Sequence, residues 1–189
     1  AGALVLADAK RGDIGSTMAA YAAARLEPGS PLSSDAVTVS PYLGFGALDP
    51  AVTLARAGGR GVFVLSRTSN PDGTRLQTAR VDEARTVAQS VVDAAAAVNA
   101  DGSGTAGVVV GATREHGLDL TALNGPILSP GLGAQGATAT DVAAVFAGTA
   151  DPAWLLPAAS RAILAAGPGA ADLSAAAEAV RDQIEAALA

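Results

Sequence analysis

The sequence predicts an α/β protein in which parallel strands alternate with helices. Two observations lead to this prediction: short, wholly apolar runs recur along the chain, and alanine-rich stretches of helical length lie between them. Apolar runs without alternation are typical of strands covered on both faces, as in parallel sheets. Half of the 189 residues are hydrophobic and 16% are charged, so we expect a sizeable core and a single domain over residues 1–189.

The strands and helices can be placed in order along the chain. The predicted strands are residues 3–10, 36–44, 61–69, 107–113, 125–133 and, more weakly, 153–161. The predicted helices are residues 14–26, about 48–58, 81–99, 138–147 and 170–188. This alternation indicates right-handed βαβ units. The six units are fewer than the eight of a closed α/β barrel, so a barrel and an open doubly wound sheet both fit the pattern.

Composition and charge exclude several classes of function. The net charge of −6 argues against a protein that binds the phosphate backbone of nucleic acids, which needs a basic face. The absence of cysteine excludes disulfides, zinc–thiolate sites and a thiol nucleophile, and it fits a reducing, cytoplasmic setting. No apolar run approaches the roughly 18–20 residues of a membrane helix, and the N-terminal residues do not resemble a signal peptide. We expect a protein that handles small molecules, with no nucleic-acid or membrane partner.

Charged side chains follow the first apolar run, in the stretch LVLADAKRGDIGST at residues 4–17. Asp8 and Lys10 are two residues apart in a strand and therefore point the same way, while Asp13 lies in the loop before a helix. The ordinary interpretation is a solvated strand end with a helix-capping aspartate. Against it, a strand buried on both faces would place the pair in a low-dielectric cleft, where charges are costly without a function.

Other strand ends contain candidate binding residues. The stretch SPGLGAQG, residues 129–136, is either a simple βα turn or a loop whose N–H groups bind an anion. Arg161, after the last strand, is placed to add a bidentate phosphate contact. Ser69, in the stretch RTSNP, is by itself an ordinary turn residue. We expect His116, the one histidine, to be a solvated loop side chain without a function.

Metal and dinucleotide sites are not expected. The acidic residues are scattered along the predicted helices, without the spacing of a metal-ligand set. The stretch GLGAQG lacks the position of a dinucleotide fingerprint and the acidic residue that should follow it about twenty residues later. We therefore expect no bound metal and no NAD.

Several motifs together resemble one enzyme family. The stretch DAKRGDIGST, residues 8–17, is similar to the D-x-K-x-x-D-I-x-x-T signature of orotidine 5′-phosphate decarboxylases, in the form of their actinobacterial-type branch. Further stretches resemble that branch in the expected order: SPYLGFGALDP (40–50), VFVLSRTSNP (62–71), VVVGAT (108–113), ILSPGLGAQG (127–136) and LLPAASR (155–161). The resemblance covers essentially the whole chain. It implies a TIM (β/α)8 barrel of the ribulose-phosphate-binding type, with about six β/α units present in this chain.

The resemblance also implies a reaction and a set of residues. The reaction is the loss of CO₂ from orotidine 5′-phosphate to give UMP in pyrimidine biosynthesis, without metal or organic cofactor. The resemblance implies that Asp8, Lys10 and Asp13 are catalytic, with Asp13 supplied by the partner in a homodimer that shares its active sites. The implied substrate-binding residues are Thr17 near the ribose, Ser69 at the pyrimidine ring, and Gly133, Gln135, Gly136 and Arg161 at the phosphate.

The sequence also differs from that family. Two β/α units that precede the Asp–Lys–Asp strand in the family are absent, including a lysine of the catalytic charge network. We therefore expect the sequence to be the C-terminal portion of a longer barrel. Two alternatives stay open: a magnesium-dependent sugar-phosphate lyase or decarboxylase of the same superfamily, similar to hexulose-phosphate synthase, and a non-catalytic phosphate-binding remnant. Metal dependence would identify the first, and nucleotide binding without turnover the second.

Overall fold

The computed structural model describes residues 2–112, 115–133, 136–148 and 151–189. Within these ranges six parallel strands form one sheet, in which each strand pairs with the next along the chain. The strands are β1 (Leu6–Arg11), β2 (Ala36–Val39), β3 (Gly61–Arg67), β4 (Ala106–Val110), β5 (Ile127–Pro130) and β6 (Leu155–Ala158). The helices are α1 (Gly15–Leu26), α2 (Asp49–Ala57), α3 (Thr74–Gln77), α4 (Val87–Val98), α5 (Ala139–Phe146), α6 (Arg161–Leu164) and α7 (Ala170–Leu188). The predicted parallel α/β fold is confirmed.

The sheet is curled into a half-barrel. Its strand order β1-β2-β3-β4-β5-β6 lacks the reversal that defines a doubly wound sheet, and so it is the order of a barrel. Leu6 of β1 and Ala158 of β6 line the same cleft, although their strands are the two edges of the sheet. With strands about 4.8 Å apart, the edges of a flat sheet of this size would be about 24 Å apart. Strong curvature therefore brings them together.

The main core lies between the sheet and the helices on its convex side. All five residues of β4 are buried, as its apolar run predicts. On α1, Met18, Ala22 and Leu26 recur every four residues and form one buried stripe. This stripe belongs to the same apolar cluster as Val37 and Val39 of β2. In the described ranges, no helix has the length and apolar content that a membrane span requires.

The first strand is less buried than the sequence predicts. Leu6 and Ala7 are half-buried, whereas Asp8 and Lys10 are exposed. The reason is that β1 is an edge strand of the described sheet and pairs only with β2. The prediction that this strand is covered on both faces is therefore wrong.

The helix predicted over 81–99 begins later, at Val87. Thr86 caps it, because its hydroxyl accepts the backbone N–H of Gln89 at 3.1 Å. Before the cap, the carboxylate of Asp82 accepts two backbone N–H groups and folds the segment into a turn. Short acidic side chains that bind nearby backbone in this way compete with helix formation.

His116 is buried, and the expectation that it is solvated is wrong. The residue is 8% exposed, and its ring stacks on Phe146 of α5, with ring centroids 5.1 Å apart. Its Nδ1 accepts the N–H of Leu118 at 3.0 Å, so the ring proton is on Nε2, which donates to the carbonyl of Val145 at 3.1 Å. Burial lowers the pKa of His116 despite the hydrogen bond to Val145, and the positive charge of Arg67 also lowers it. The neutral ring therefore anchors its loop to α5.

We expect the free energy of unfolding to decrease as the pH is lowered below about 6.5, the ordinary pKa of histidine in an unfolded chain. Because the pKa of His116 is lower in the folded protein, the unfolded state binds the proton first and is favoured as the pH falls. The loss is at most about 1.4 kcal/mol per pH unit, and it ends at the folded-state pKa. Denaturant unfolding at about pH 7.5 and about pH 5.5 measures it.

His116→Gln is the control, because the chain has one histidine. In this variant, the free energy of unfolding should differ much less between the two pH values than it does in the wild type. An equal difference in the wild type and the variant would show that His116 is not its source.

Candidate active site

A cleft of about 700 Å³ opens at the C-terminal ends of the strands, on the concave side of the sheet. Its lining includes Asp8 and Lys10 of β1, Ser69 after β3, and Ser160 and Arg161 after β6. The volume lies within the ~300–1,000 Å³ typical of small-molecule sites. The cleft is at the strand edge where α/β barrels bind their ligands.

Asp8 and Lys10 form an ion pair in this cleft, with Lys10 Nζ bound to Asp8 Oδ2. The two-residue spacing places both side chains on one face of β1, as predicted. They are 58% and 51% exposed, so the low-dielectric setting expected from the sequence is not present in this chain. The hydroxyl of Thr38 donates to the other carboxylate oxygen, Oδ1, at 2.9 Å.

The same contacts keep Asp8 ionised. Partial burial would raise the pKa of Asp8, but it is outweighed by the hydrogen bonds from Lys10 and Thr38 and by the charge of Lys10. The pKa of Asp8 is therefore held below its usual value of 3.8. At neutral pH the cleft contains a fixed carboxylate beside an ammonium group.

Asp13 and Thr17 do not line the cleft of their own chain. The carboxylate of Asp13 accepts the backbone N–H of Ile14 at 2.8 Å, just before α1. Thr17 is exposed on α1. The assignment of both residues to a site shared with a partner subunit stays a prediction.

Ser69 is held in the cleft wall by two residues that the sequence analysis missed. Gln77 of α3 clamps the loop, because its amide accepts the N–H of Thr68 at 3.1 Å and donates to the Thr68 hydroxyl at 2.7 Å. Gly111, after β4, leaves room for the loop: a Cβ there would lie 2.7 Å from the backbone nitrogen of Ser69. The glycine that ends an apolar run was a visible signal for this close approach, whereas nothing in the sequence marked Gln77.

The loop after β5 positions the cleft wall near Arg161. The N–H groups of Gly133 and Gly136 donate to carbonyls of the loop itself, both at 2.8 Å, and neither residue is part of the cleft lining. Gly133 has φ +75°, and a Cβ there would lie 2.9 Å from the Cβ of Ala162 on α6. Only glycine therefore fits this close to α6, whose first residue is Arg161. Gln135 lies outside the described residues.

The lining of the cleft is positively charged although the chain is acidic overall. In the described ranges its charged residues are Lys10 and Arg161, with Asp8 as the one carboxylate. Such a lining attracts an anionic ligand despite the net charge of −6. Among the described residues, no three acidic or histidine side chains come together as they would to bind a metal ion.

Comparisons of the sequence with known proteins agree on one family. The profile described as "Orotidine 5′-phosphate decarboxylase / HUMPS family" matches residues 1–177. An orotidine 5′-phosphate decarboxylase of Salinispora arenicola is 60% identical over 191 aligned positions, which cover 100% of this chain and 68% of the relative.

Solved structures give the same result. A Streptomyces avermitilis protein assigned as an orotidine 5′-phosphate decarboxylase superimposes with a TM-score of 0.92 at 50% identity, over 99% of this chain and 66% of that chain. The orotidine monophosphate decarboxylase of Leishmania donovani has a TM-score of 0.76 at 32% identity, over 100% of this chain and 70% of that chain. The chain thus spans about two thirds of the length of these relatives.

Proposed function

The chain belongs to the orotidine 5′-phosphate decarboxylase / HUMPS family, and we propose that its function, the decarboxylation of orotidine 5′-phosphate to UMP, is carried out in the cleft beside β1. The observation that carries this proposal is the ion pair of Asp8 and Lys10, with both side chains in the cleft lining at the end of a strand. A carboxylate beside an ammonium group suits a reaction in which a substrate carboxylate leaves as CO₂ and a carbanion remains.

The proposed mechanism uses both members of the pair. The bond between C6 of the pyrimidine and its carboxylate breaks, CO₂ leaves, and the electron pair stays on C6. Lys10 Nζ stabilises this negative charge and then donates a proton to C6. Asp8 lies against the departing carboxylate, and the repulsion between them is relieved as CO₂ leaves. The low pKa of Asp8 keeps it charged throughout the neutral range.

Substrate binding is assigned to the other walls of the cleft. Ser69 hydrogen-bonds the pyrimidine ring and Arg161 binds the 5′-phosphate through its guanidinium group. The proposal is supported by the presence of both residues in the same cleft lining as Lys10. The assignment of Gly133, Gln135 and Gly136 to the phosphate rests on the motif resemblance alone, since the N–H groups of Gly133 and Gly136 are bonded within the loop. Binding energy from the phosphate, far from the reacting carbon, helps to align the substrate with the ion pair.

The alternative functions are less well supported. Relatives at 54–60% identity are named orotidine 5′-phosphate decarboxylases, which does not favour a sugar-phosphate lyase. We propose that the reaction needs neither metal nor organic cofactor, since Lys10 supplies the positive charge at the reacting carbon. We also propose a cytoplasmic location, because a chain without cysteine suits a reducing compartment.

The proposed enzyme is a homodimer in which each site takes Asp13 and Thr17 from the partner subunit. Asp13 lies outside the cleft of its own chain, at the start of α1, and is therefore available to a neighbouring subunit. Ile14 beside it is 62% exposed, and Tyr42 and Leu43 in the loop after β2 are 76% and 53% exposed. Exposed apolar side chains near the mouth of a site are typical of a surface covered in an assembly.

Turnover in the presence of EDTA tests the proposed chemistry. We expect absorbance-monitored decarboxylation of orotidine 5′-phosphate without added metal, and a fall in kcat of about 10³-fold or more in Lys10→Ala, which lacks both the charge and the proton donor. Arg181→Gln, which changes an exposed cation on α7, is the control with unchanged activity.

The same assay is run on a chain extended by the N-terminal segment of the Salinispora relative. If only the extended chain turns over the substrate, the added segment contributes residues that the reaction requires. A need for Mg²⁺, or equal activity of the wild type and Lys10→Ala, would contradict the proposed mechanism. Nucleotide binding without turnover in both chains would favour the non-catalytic alternative.

Mixing two inactive variants tests the shared site. Lys10→Ala and Asp13→Ala each lack one residue in every site of their homodimers, whereas one site of a mixed dimer contains both residues. After unfolding and refolding together, we expect about a quarter of wild-type activity, because half of the dimers are mixed and each has one intact site. No recovery, with mixed dimers demonstrated by differential tagging, would place Asp13 in its own chain's site or outside the site altogether.

A further inference from the structure

We propose that Thr38 is a positioning residue for the decarboxylation, because its hydroxyl holds Asp8 and Lys10 in their working arrangement. This inference rests on the proposed function of that pair. Thr38 lies on β2, is 0% exposed and is not part of the cleft lining. It therefore acts on the reaction only through its neighbours on β1.

One hydroxyl makes both contacts. It accepts the backbone N–H of Lys10 at 2.9 Å and donates to Asp8 Oδ1 at 2.9 Å. A hydroxyl has a single proton, so the bond accepted from the N–H leaves that proton for the carboxylate. Lys10 Nζ binds the other oxygen, Oδ2. The carboxylate is thus held at both oxygens, and it keeps one of these bonds when the ammonium group turns to the substrate.

The backbone of Lys10 explains why this support is needed. Lys10 has φ +49°, a left-handed conformation that is uncommon for residues other than glycine. The pairing of β1 with β2 shifts register between Ala7 and Arg11, so the strand is irregular at this point. Irregularities of this kind redirect side chains next to active sites. The Lys10 N–H is satisfied by a side chain of β2, which stabilises the irregular conformation.

The sequence of β2 places the hydroxyl where it is needed. Val37 and Val39 belong to the apolar core on the convex side. Thr38 lies between them and therefore points to the opposite, concave side, toward β1's charged pair. Valine has nearly the same shape and the same preference for strands, but it makes neither hydrogen bond. Serine keeps the hydroxyl.

The kinetic test compares Thr38→Val with Thr38→Ser. We expect the valine variant to lose about ten- to a hundredfold in kcat with little change in KM, because misplacing the reacting groups weakens the chemical step more than binding. The serine variant should recover most of the loss. Thr105→Val is the matched control with unchanged kcat: Thr105 is 6% exposed, and its hydroxyl donates to Ser103 before β4, at the opposite end of the sheet.

A second readout does not depend on turnover. Lys10 is the one lysine in the sequence, so a protein labelled with ¹⁵N-lysine gives a single backbone amide signal. In Thr38→Val we expect this amide to exchange with solvent at least about tenfold faster, and the pKa of Asp8 to rise, because both hydrogen bonds are lost. The charged groups that face Asp8 in the cleft, Lys10 and Arg161, are unchanged in this variant.

The outcomes separate this inference from the proposed function. If neither the wild type nor the extended chain turns over the substrate, the proposed function fails, and amide exchange still decides whether Thr38 holds Lys10. An unchanged kcat or an unchanged exchange rate in Thr38→Val would overturn the inference. A loss of activity that Thr38→Ser does not restore would also overturn it. The same holds for a loss of activity that accompanies a fall in Tm, if Thr105→Val shows the same fall.

Discussion

The ion pair between Asp8 and Lys10 is the interaction on which the functional interpretation depends. Both side chains are more than half exposed, and exposed ion pairs contribute about 0–1 kcal/mol to stability. Folding alone therefore gives little reason to place an acid and an amine side by side at this strand end. Their arrangement instead includes an irregular strand end and a left-handed lysine backbone, which a buried threonine hydroxyl stabilises. An irregular backbone of this kind is reasonable at a pair that performs the chemistry of a carboxy-lyase.

The curvature of the sheet determines what the pair can act on. Because the half-barrel brings its two edges to one cleft, Lys10 of β1 and Arg161 after β6 line the same space. A substrate with a reacting carboxylate at one end and a phosphate at the other fits this distribution of charge. The packing near Arg161 supports it, because Gly133 allows the loop after β5 to approach α6.

Much of this structure could be predicted from the sequence, and the errors have physical causes. Apolar runs predicted the parallel sheet, and the two-residue spacing predicted that Asp8 and Lys10 share a face. The burial of β1 could not be predicted, because it depends on what lies beside the strand rather than on the strand's own residues. The helix start near residue 81 was wrong because Asp82 binds nearby backbone, a local competitor that periodicity does not detect. His116, Thr38 and Gln77 act through partners distant in sequence, so no local pattern marked them.

A crystal structure of the chain with bound UMP tests the central claim most directly. We expect C6 of the pyrimidine to lie about 3 Å from Lys10 Nζ, within reach of proton transfer, with the phosphate against Arg161. A nucleotide bound in the reverse orientation, or outside the cleft, would contradict the assignment of the Asp8–Lys10 pair as the reacting groups.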